Sequence, residues 1–181
     1  MDSRLQDTIS LTTDSPEQTQ SVGKILGAHA HAGDVFLLQG ELGAGKTCLT
    51  QGILWGLGGE EYARSPTFVL ICEYPARLTL YHMDLYRLDS ADEIIELGLD
   101  DYFLGEGVCV VEWAEKGADT FIGEHLTVRI EDAGAEARTL VFSADSARYS
   151  AIMGALRDLS EGDADIDGNT LQLQSPADEA Q

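Results

Sequence analysis

Short, uniformly apolar runs alternate with segments of helical character along most of the chain. Near the beginning, Ser15, Pro16 and Gln18 provide an N-cap, a first-turn proline and a capping-box residue. They predict a helix of about 16 residues that runs to the turn at 32–34. The segment 35–38 (VFLL) follows without a polar residue, which is typical of a strand buried on both faces of a parallel sheet.

The same alternation continues beyond a glycine-rich turn. Leu49, Ile53 and Leu57 share one face of a helix that follows Thr47 and ends at the glycine pair 58–59. Apolar runs then predict strands at 67–74 and 78–83, and a capping box predicts a helix from Ser90. Further apolar runs predict strands at 108–112, 125–131 and 138–143. The last predicted helix has apolar residues at helical spacing over 151–159 and ends at Gly162. Such alternation predicts an open α/β sheet with its ligand at the carboxyl ends of strands.

The last segment, 160–181, differs in composition from the rest. It contains many acids, no Lys or Arg, and Ile166, Leu171 and Leu173 as its large apolar residues. Because so little apolar surface is available to offset the entropy of ordering, we predict a disordered acidic tail over 160–181. Residues 1–159 are predicted to form one small domain.

Charge restricts the ligands that this surface can attract. The chain has 32 Asp and Glu against 11 Lys and Arg, a formal net charge of -21, and no basic cluster. Affinity for nucleic acid comes largely from Lys and Arg that neutralise phosphates, so we expect no direct binding of DNA, and if tRNA or DNA is the final substrate, a basic partner must hold it. No apolar run is long enough to cross a membrane, and no targeting signal is recognised at the N-terminus, so we expect a cytoplasmic protein without membrane contact.

The segment 40–47 reads GELGAGKT and fits the phosphate-loop pattern GxxxxGK[ST]. The pattern requires a buried strand before it and a helix after it, and both are predicted here. Its glycines let backbone N–H groups converge on phosphate oxygens, Lys46 reaches the β- and γ-phosphates, and the Thr47 hydroxyl binds Mg²⁺. We therefore predict ATP and Mg²⁺ as ligands and, as the nucleotide-binding segment, Gly40, Glu41, Leu42, Gly43, Ala44, Gly45, Lys46 and Thr47. The predicted fold is P-loop NTPase-like, with a mostly parallel sheet flanked by helices.

Two acids stand at the ends of predicted strands. Asp84 follows the run LTLYHM, and Glu112 closes VCVVE. In a parallel sheet both positions face the side that carries the phosphate loop. From the residues alone, either carboxylate could be the additional magnesium ligand.

Five segments taken together resemble the TsaE family, the bacterial ATPases needed to make threonylcarbamoyladenosine in tRNA. They are GELGAGKT, SPTFVL at 65–70, YHMDLYRL at 81–88, ELGLDDYF at 96–103 and VVEWAE at 110–115. The similarity extends from about residue 15 to residue 142 and is specific, because P-loop proteins at large lack HxDLYRL and VEW. The tail lies outside it.

The resemblance implies a role for individual side chains. Thr47 and Glu112 would bind Mg²⁺, Lys46 would bind the phosphates, and Asp84 would act beside the γ-phosphate, so that Asp84 and Lys46 are the expected catalytic residues. Arg138 matches a late arginine of the family and is expected to contact nucleotide.

Three further positions belong to the same motifs. Residues 65–67 would form a nucleotide-sensitive switch, and Trp113 would lie beside the nucleotide. His82 is interpreted as an ordinary strand residue rather than as polar support for Asp84.

The resemblance also implies partners. The chain would act with TsaB and TsaD, of which TsaD transfers the threonylcarbamoyl group to the adenosine next to the anticodon, while ATP hydrolysis drives a conformational step. Because no arginine finger is evident near the loop, we expect weak hydrolysis alone and activation in the complex. Two other functions are possible. A small-molecule P-loop kinase is disfavoured because such enzymes usually close an Arg-rich lid over the phosphates, whereas the arginines of this chain are scattered singly. The second is a nucleotide-gated binding module without useful hydrolysis. No guanine-reading [NT]KxD motif follows the strands, which disfavours a GTPase.

Overall fold

A sheet of seven strands organises the chain. The computed structural model describes residues 7–117, 120–121, 123–144 and 146–161. In chain order the strands are β1 (Asp7–Thr13), β2 (Val35–Gln39), β3 (Ile71–Tyr74), β4 (Leu80–Asp84), β5 (Val108–Glu112), β6 (Leu126–Asp132) and β7 (Arg138–Ala144). Their order across the sheet is β1-β7-β6-β2-β5-β4-β3.

Parallel pairing is confined to the four central strands. β2 pairs in parallel with both β5 and β6, and β4 pairs in parallel with β5. The outer pairs β1–β7, β6–β7 and β3–β4 are antiparallel. The predicted α/β domain is confirmed, and its parallel part is the part that brings the carboxyl ends of β2, β4 and β5 to one edge.

Helices cover both faces of this sheet. They are α1 (Pro16–His29), α2 (Lys46–Gly56), α3 (Ala91–Glu96), α4 (Asp100–Phe103) and α5 (Ser150–Ser160). The larger apolar core joins one face of the sheet to α1, α2 and α5, and the smaller core joins the other face to α3 and the start of α4. Among the described helices, none is long and apolar enough to cross a membrane.

The first two helices approach each other backbone to backbone. A Cβ atom added at Gly27 would lie 2.1 Å from the carbonyl oxygen of Ile53, and one at Gly52 would lie 2.1 Å from that of Gln20. Only glycine fits at such a contact. This packing fixes α2, whose first turn continues directly from the phosphate loop.

The strand predicted at 67–74 is wrong in its first half. β3 begins at Ile71, because the N–H groups of Val69 and Leu70 both donate to the carbonyl of Pro66 and form a turn. Leu70 has a φ of 68°, a left-handed conformation that ends the turn. The segment 65–70 is therefore a loop that stands at the end of β4.

Two other differences concern the ends of the chain. β1 was not predicted, although Ile9, Leu11 and Thr13 alternate inward as in a half-buried strand. The last helix ends at Ser160, two residues before its predicted end at Gly162. The predicted tail lies outside the described residues from 162 onward.

Candidate functional site

The segment 40–47 joins β2 to α2, as the phosphate-loop pattern predicts. Gly40, Gly43 and Gly45 have φ values of 144°, 80° and 110°, which side-chain-bearing residues rarely adopt. A Cβ at Gly40 would also lie 2.4 Å from the carbonyl oxygen of Ile130. No side chain caps the N-terminus of α2. The first-turn N–H groups are thus available to an anion, together with the positive end of the helix dipole.

Lys46 begins α2 and bends back over the loop. Its Nζ donates hydrogen bonds to the carbonyl oxygens of Gly40 and, at 2.9 Å, Glu41. The same nitrogen lies 3.9 Å from the centre of the Trp113 ring, a cation–π distance. Burial lowers the pKa of Lys46 below its ordinary value, while neighbouring carboxylates, Glu112 foremost, act in the opposite direction.

Glu112 closes β5 and receives two hydrogen bonds on one oxygen. Its Oε1 accepts from the Thr47 hydroxyl at 2.8 Å and lies 2.7 Å from Nε2 of His82. Glu112 is 3% exposed and His82 is fully buried. The sequence interpretation of His82 as an ordinary strand residue is corrected here, since its ring contacts the Glu112 carboxylate rather than Asp84.

Asp84 closes β4 and lies in register with Glu112 on β5. Its Oδ2 accepts from the hydroxyls of Ser65 at 2.8 Å and Thr67 at 2.6 Å. Its Oδ1 accepts from the backbone N–H of Tyr86 at 2.8 Å. The carboxylate is 1% exposed. Both of its oxygens are therefore engaged by the chain itself.

These groups surround one cavity of about 310 Å³ at the carboxyl ends of β2, β4 and β5. It is lined by Leu42, Gly43, Gly45, Lys46, Thr47, Cys48, Ser65, Thr67, Asp84, Tyr86, Glu112 and Trp113. The predicted catalytic and metal-binding residues thus meet in one place, as expected for an open α/β sheet.

The donor set around the cavity fits a magnesium ion that shares its ligands with a nucleotide. Within the described ranges, no group of three or more His, Cys, Asp or Glu is placed to hold a metal alone. Thr47 and Glu112 nevertheless offer a hydroxyl and a carboxylate in contact with each other. Mg²⁺ prefers oxygen ligands and completes its octahedron with phosphate oxygens and water, so this pair fits it.

Comparison with known proteins identifies the family. Residues 13–140 match the family described as Threonylcarbamoyl adenosine biosynthesis protein TsaE. This chain belongs to the TsaE family. The expectation based on the motifs of the sequence is confirmed.

Individual TsaE relatives support the same assignment. The chain is 46% identical over 138 residues to the tRNA threonylcarbamoyladenosine biosynthesis protein TsaE of Bacillus subtilis strain 168, covering 76% of this chain and 86% of that protein. It is 44% identical over 124 residues to TsaE of Mycobacterium tuberculosis H37Rv, covering 64% and 74%. A crystal structure of Bacillus subtilis YdiB superposes with a TM-score of 0.73 at 38% identity, covering 84% of this chain and 96% of that one.

Arg138, the late arginine that the TsaE resemblance singled out, lies against the outside of the phosphate loop. Its Nε donates to the carbonyl oxygen of Ala44 at 3.0 Å, and a terminal nitrogen lies 3.5 Å from that of Gly43. A second terminal nitrogen lies 3.8 Å from the Asp132 carboxylate. The guanidinium thus supports the shape of the loop, and its contact with nucleotide stays a prediction.

Proposed function

We propose that this chain is a magnesium-dependent ATPase that serves the formation of N6-threonylcarbamoyladenosine in tRNA, acting with TsaB and TsaD. One observation carries the proposal. The phosphate loop, two buried carboxylates and the Thr47 hydroxyl meet in a single cavity of a chain that belongs to the TsaE family. The proposed cellular compartment is the cytoplasm, where tRNA is modified.

The side chains divide the work as follows. Lys46 and the N–H groups of the loop bind the phosphates, and Thr47 with Glu112 holds Mg²⁺. The ion would supply positive charge where the phosphoryl group transfers. Asp84 orients the attacking water beside the γ-phosphate, since it lies in register with Glu112 in the sheet and lines the same cavity.

Two observations support slow hydrolysis by the isolated chain. Asp84 accepts two hydrogen bonds on Oδ2 and one on Oδ1, so it has little accepting capacity left for a water, and a water that binds Oδ2 must displace Ser65 or Thr67. No arginine is found among the described residues that line the cavity. Because an arginine finger often completes such sites from a partner, activation by TsaB and TsaD follows from the proposal.

The acidity of the chain supports an indirect role on tRNA. A net charge of -21 repels a polyanion, so the tRNA is held by the partners and TsaD transfers the threonylcarbamoyl group. ATP hydrolysis by this chain then drives a conformational step in the assembly. It does not form the new bond on adenosine.

A second function is favoured by the state of Asp84. A carboxylate that already accepts from Ser65, Thr67 and the Tyr86 N–H suits a nucleotide-gated binding module, which would bind its partners without useful hydrolysis. The ATPase must hydrolyse ATP to support the tRNA modification, whereas the binding module needs only to bind it.

The test is ATP hydrolysis by the full chain, alone and with TsaB and TsaD, in Mg²⁺ and in EDTA. The proposal predicts a low rate alone, a marked increase with the partners, and loss of the rate in EDTA or in Asp84→Asn. Arg157→Ala is a matched surface control, because Arg157 pairs with Asp7 on a solvated face. Equal rates with and without the partners would overturn the proposed activation. An active Asp84→Asn variant would overturn the role of Asp84.

A further inference from the structure

His82 occupies a position on β4 where the fold offers a polar side chain little support. The residue is fully buried, and Leu80 and Tyr74 beside it belong to the larger apolar core. Burying a polar ring costs free energy unless its nitrogens are hydrogen-bonded. One ring nitrogen, Nδ1, is buried without a partner among the described residues. The other nitrogen contacts Glu112.

The contact with Glu112 fixes which nitrogen carries hydrogen. A carboxylate only accepts hydrogen bonds, so Nε2 of His82 donates to Oε1 at 2.7 Å. When Nε2 carries the one ring hydrogen, Nδ1 is an unfilled acceptor rather than an orphaned donor. Within the described structure, the contact with Glu112 is therefore the one hydrogen bond of the ring.

The two oxygens of Glu112 have different surroundings. Oε1 accepts from Thr47 and His82, whereas Oε2 has no hydrogen bond among the described residues, and the side chain lines the cavity. Thr47 is itself a proposed magnesium ligand. His82 is then the donor that holds Oε1 without also binding the ion.

We propose that His82 is a positioning residue that fixes the Glu112 carboxylate in the orientation needed to bind Mg²⁺. The inference rests on the proposed function, because it presupposes that Mg²⁺ and ATP bind in this cavity. Residues that hydrogen-bond to metal ligands orient them, and removal of such a residue commonly lowers metal affinity about 10–100-fold.

A pair of amide substitutions separates positioning from packing. In His82→Gln the side-chain amide nitrogen lies about as far from the backbone as Nε2 of the histidine ring does. In His82→Asn the side chain is too short for its amide nitrogen to reach Glu112. We expect ATP affinity in EDTA to stay near that of the unaltered chain in both variants. The Mg²⁺ concentration for half-maximal ATP binding should rise about 10–100-fold in His82→Asn and change by less than about threefold in His82→Gln.

Calorimetric titration of ATP, in EDTA and across Mg²⁺ concentrations, gives both quantities. Leu80→Val is the matched control, since Leu80 is buried on the same strand and pairs with Val108, at the opposite end of β5 from Glu112. Equal Mg²⁺ dependence in His82→Asn and the unaltered chain would overturn the inference, as would an equal loss in Leu80→Val. If the unaltered chain binds ATP identically in Mg²⁺ and EDTA, the proposed function itself fails.

A measurement on the unaltered chain covers the case in which neither variant folds. Nitrogen NMR of isotope-labelled histidine should show the His82 hydrogen on Nε2, and its signal should shift when Mg²⁺ is added to the ATP-bound protein. A hydrogen on Nδ1, or a signal that Mg²⁺ leaves unchanged, would contradict the proposed role.

Discussion

The hydroxyl of Thr67 donates a hydrogen bond of 2.6 Å to Oδ2 of Asp84 and ties the segment 65–70 to the end of β4. Ser65 donates to the same oxygen at 2.8 Å, and the two hydroxyls are 2.7 Å apart. A water or a metal ion that takes Oδ2 of Asp84 must therefore displace one of these hydroxyls. The geometry gives a physical basis for the predicted switch at 65–67.

The first prediction concerns this hydrogen bond. Thr67→Val should lower the free energy of unfolding by about 1–3 kcal/mol, because a buried carboxylate oxygen loses one of its donors. Hydrolysis by the isolated chain should rise, since a water then has one competitor fewer for Oδ2 of Asp84. Urea denaturation and the hydrolysis assay measure the two effects. Thr139→Val on β7 is the control, because no hydrogen bond of its hydroxyl is found in the described structure, and equal behaviour of the two variants would refute the assignment.

The second prediction concerns Arg138. Arg138→Lys should weaken ATP binding about tenfold, roughly 1.4 kcal/mol, because a single ammonium cannot reproduce the forked contact with the loop carbonyls. Equilibrium binding of ATP in EDTA measures it. Arg157→Ala, a change to an exposed ion pair, should leave ATP affinity unchanged. An undiminished affinity in Arg138→Lys would mean that the loop keeps its shape without this support.

The third prediction uses the two tryptophans of the chain, Trp55 and Trp113. Lys46 lies over the Trp113 ring in the structure, so phosphates that draw the ammonium away should change the emission of Trp113. Trp113→Phe should abolish the ATP-dependent change in fluorescence, and Trp55→Phe should retain it. If the change persists in Trp113→Phe and is lost in Trp55→Phe, Lys46 keeps its contact with the Trp113 ring when ATP binds.

The fourth prediction concerns the packing that holds α2. Gly27→Ala should lower the free energy of unfolding by at least about 1–3 kcal/mol, because its Cβ would collide with the backbone of Ile53. ATP affinity should fall in parallel as α2 and the phosphate loop shift. Gly154→Ala in α5 meets open space and should stabilise the protein by about 0.5–1 kcal/mol. Denaturant unfolding measures the stability of both variants. Equal free energies of unfolding for Gly27→Ala and Gly154→Ala would contradict the proposed collision at Gly27.

Local sequence was sufficient to predict the phosphate loop. Its glycines, Lys46 and Thr47 are specified within eight residues, and the structure has the predicted strand before them and the predicted helix after them. Asp84 and Glu112 were found for a different reason. Each closes an apolar run, and parallel strands end at a common edge, so both carboxylates reach the same cavity.

Contacts between distant residues account for what was missed. The letters TFVL at 67–70 have strand character, yet the hydroxyl of Thr67 bonds to a carboxylate 17 residues away and the backbone turns instead. His82 and Glu112 meet across two strands, 30 residues apart. β1 was a different case, since its alternation was visible in the sequence.

The most direct test of ATP turnover at this site is the amount of threonylcarbamoyladenosine in tRNA from cells in which the Asp84→Asn variant replaces this chain. Nucleoside mass spectrometry measures it, with the unaltered chain and Arg157→Ala as controls. We expect the modified nucleoside to be lost in Asp84→Asn and retained in both controls, while the variant still binds ATP. An unchanged level in Asp84→Asn would contradict the claim that ATP turnover at this site serves the modification.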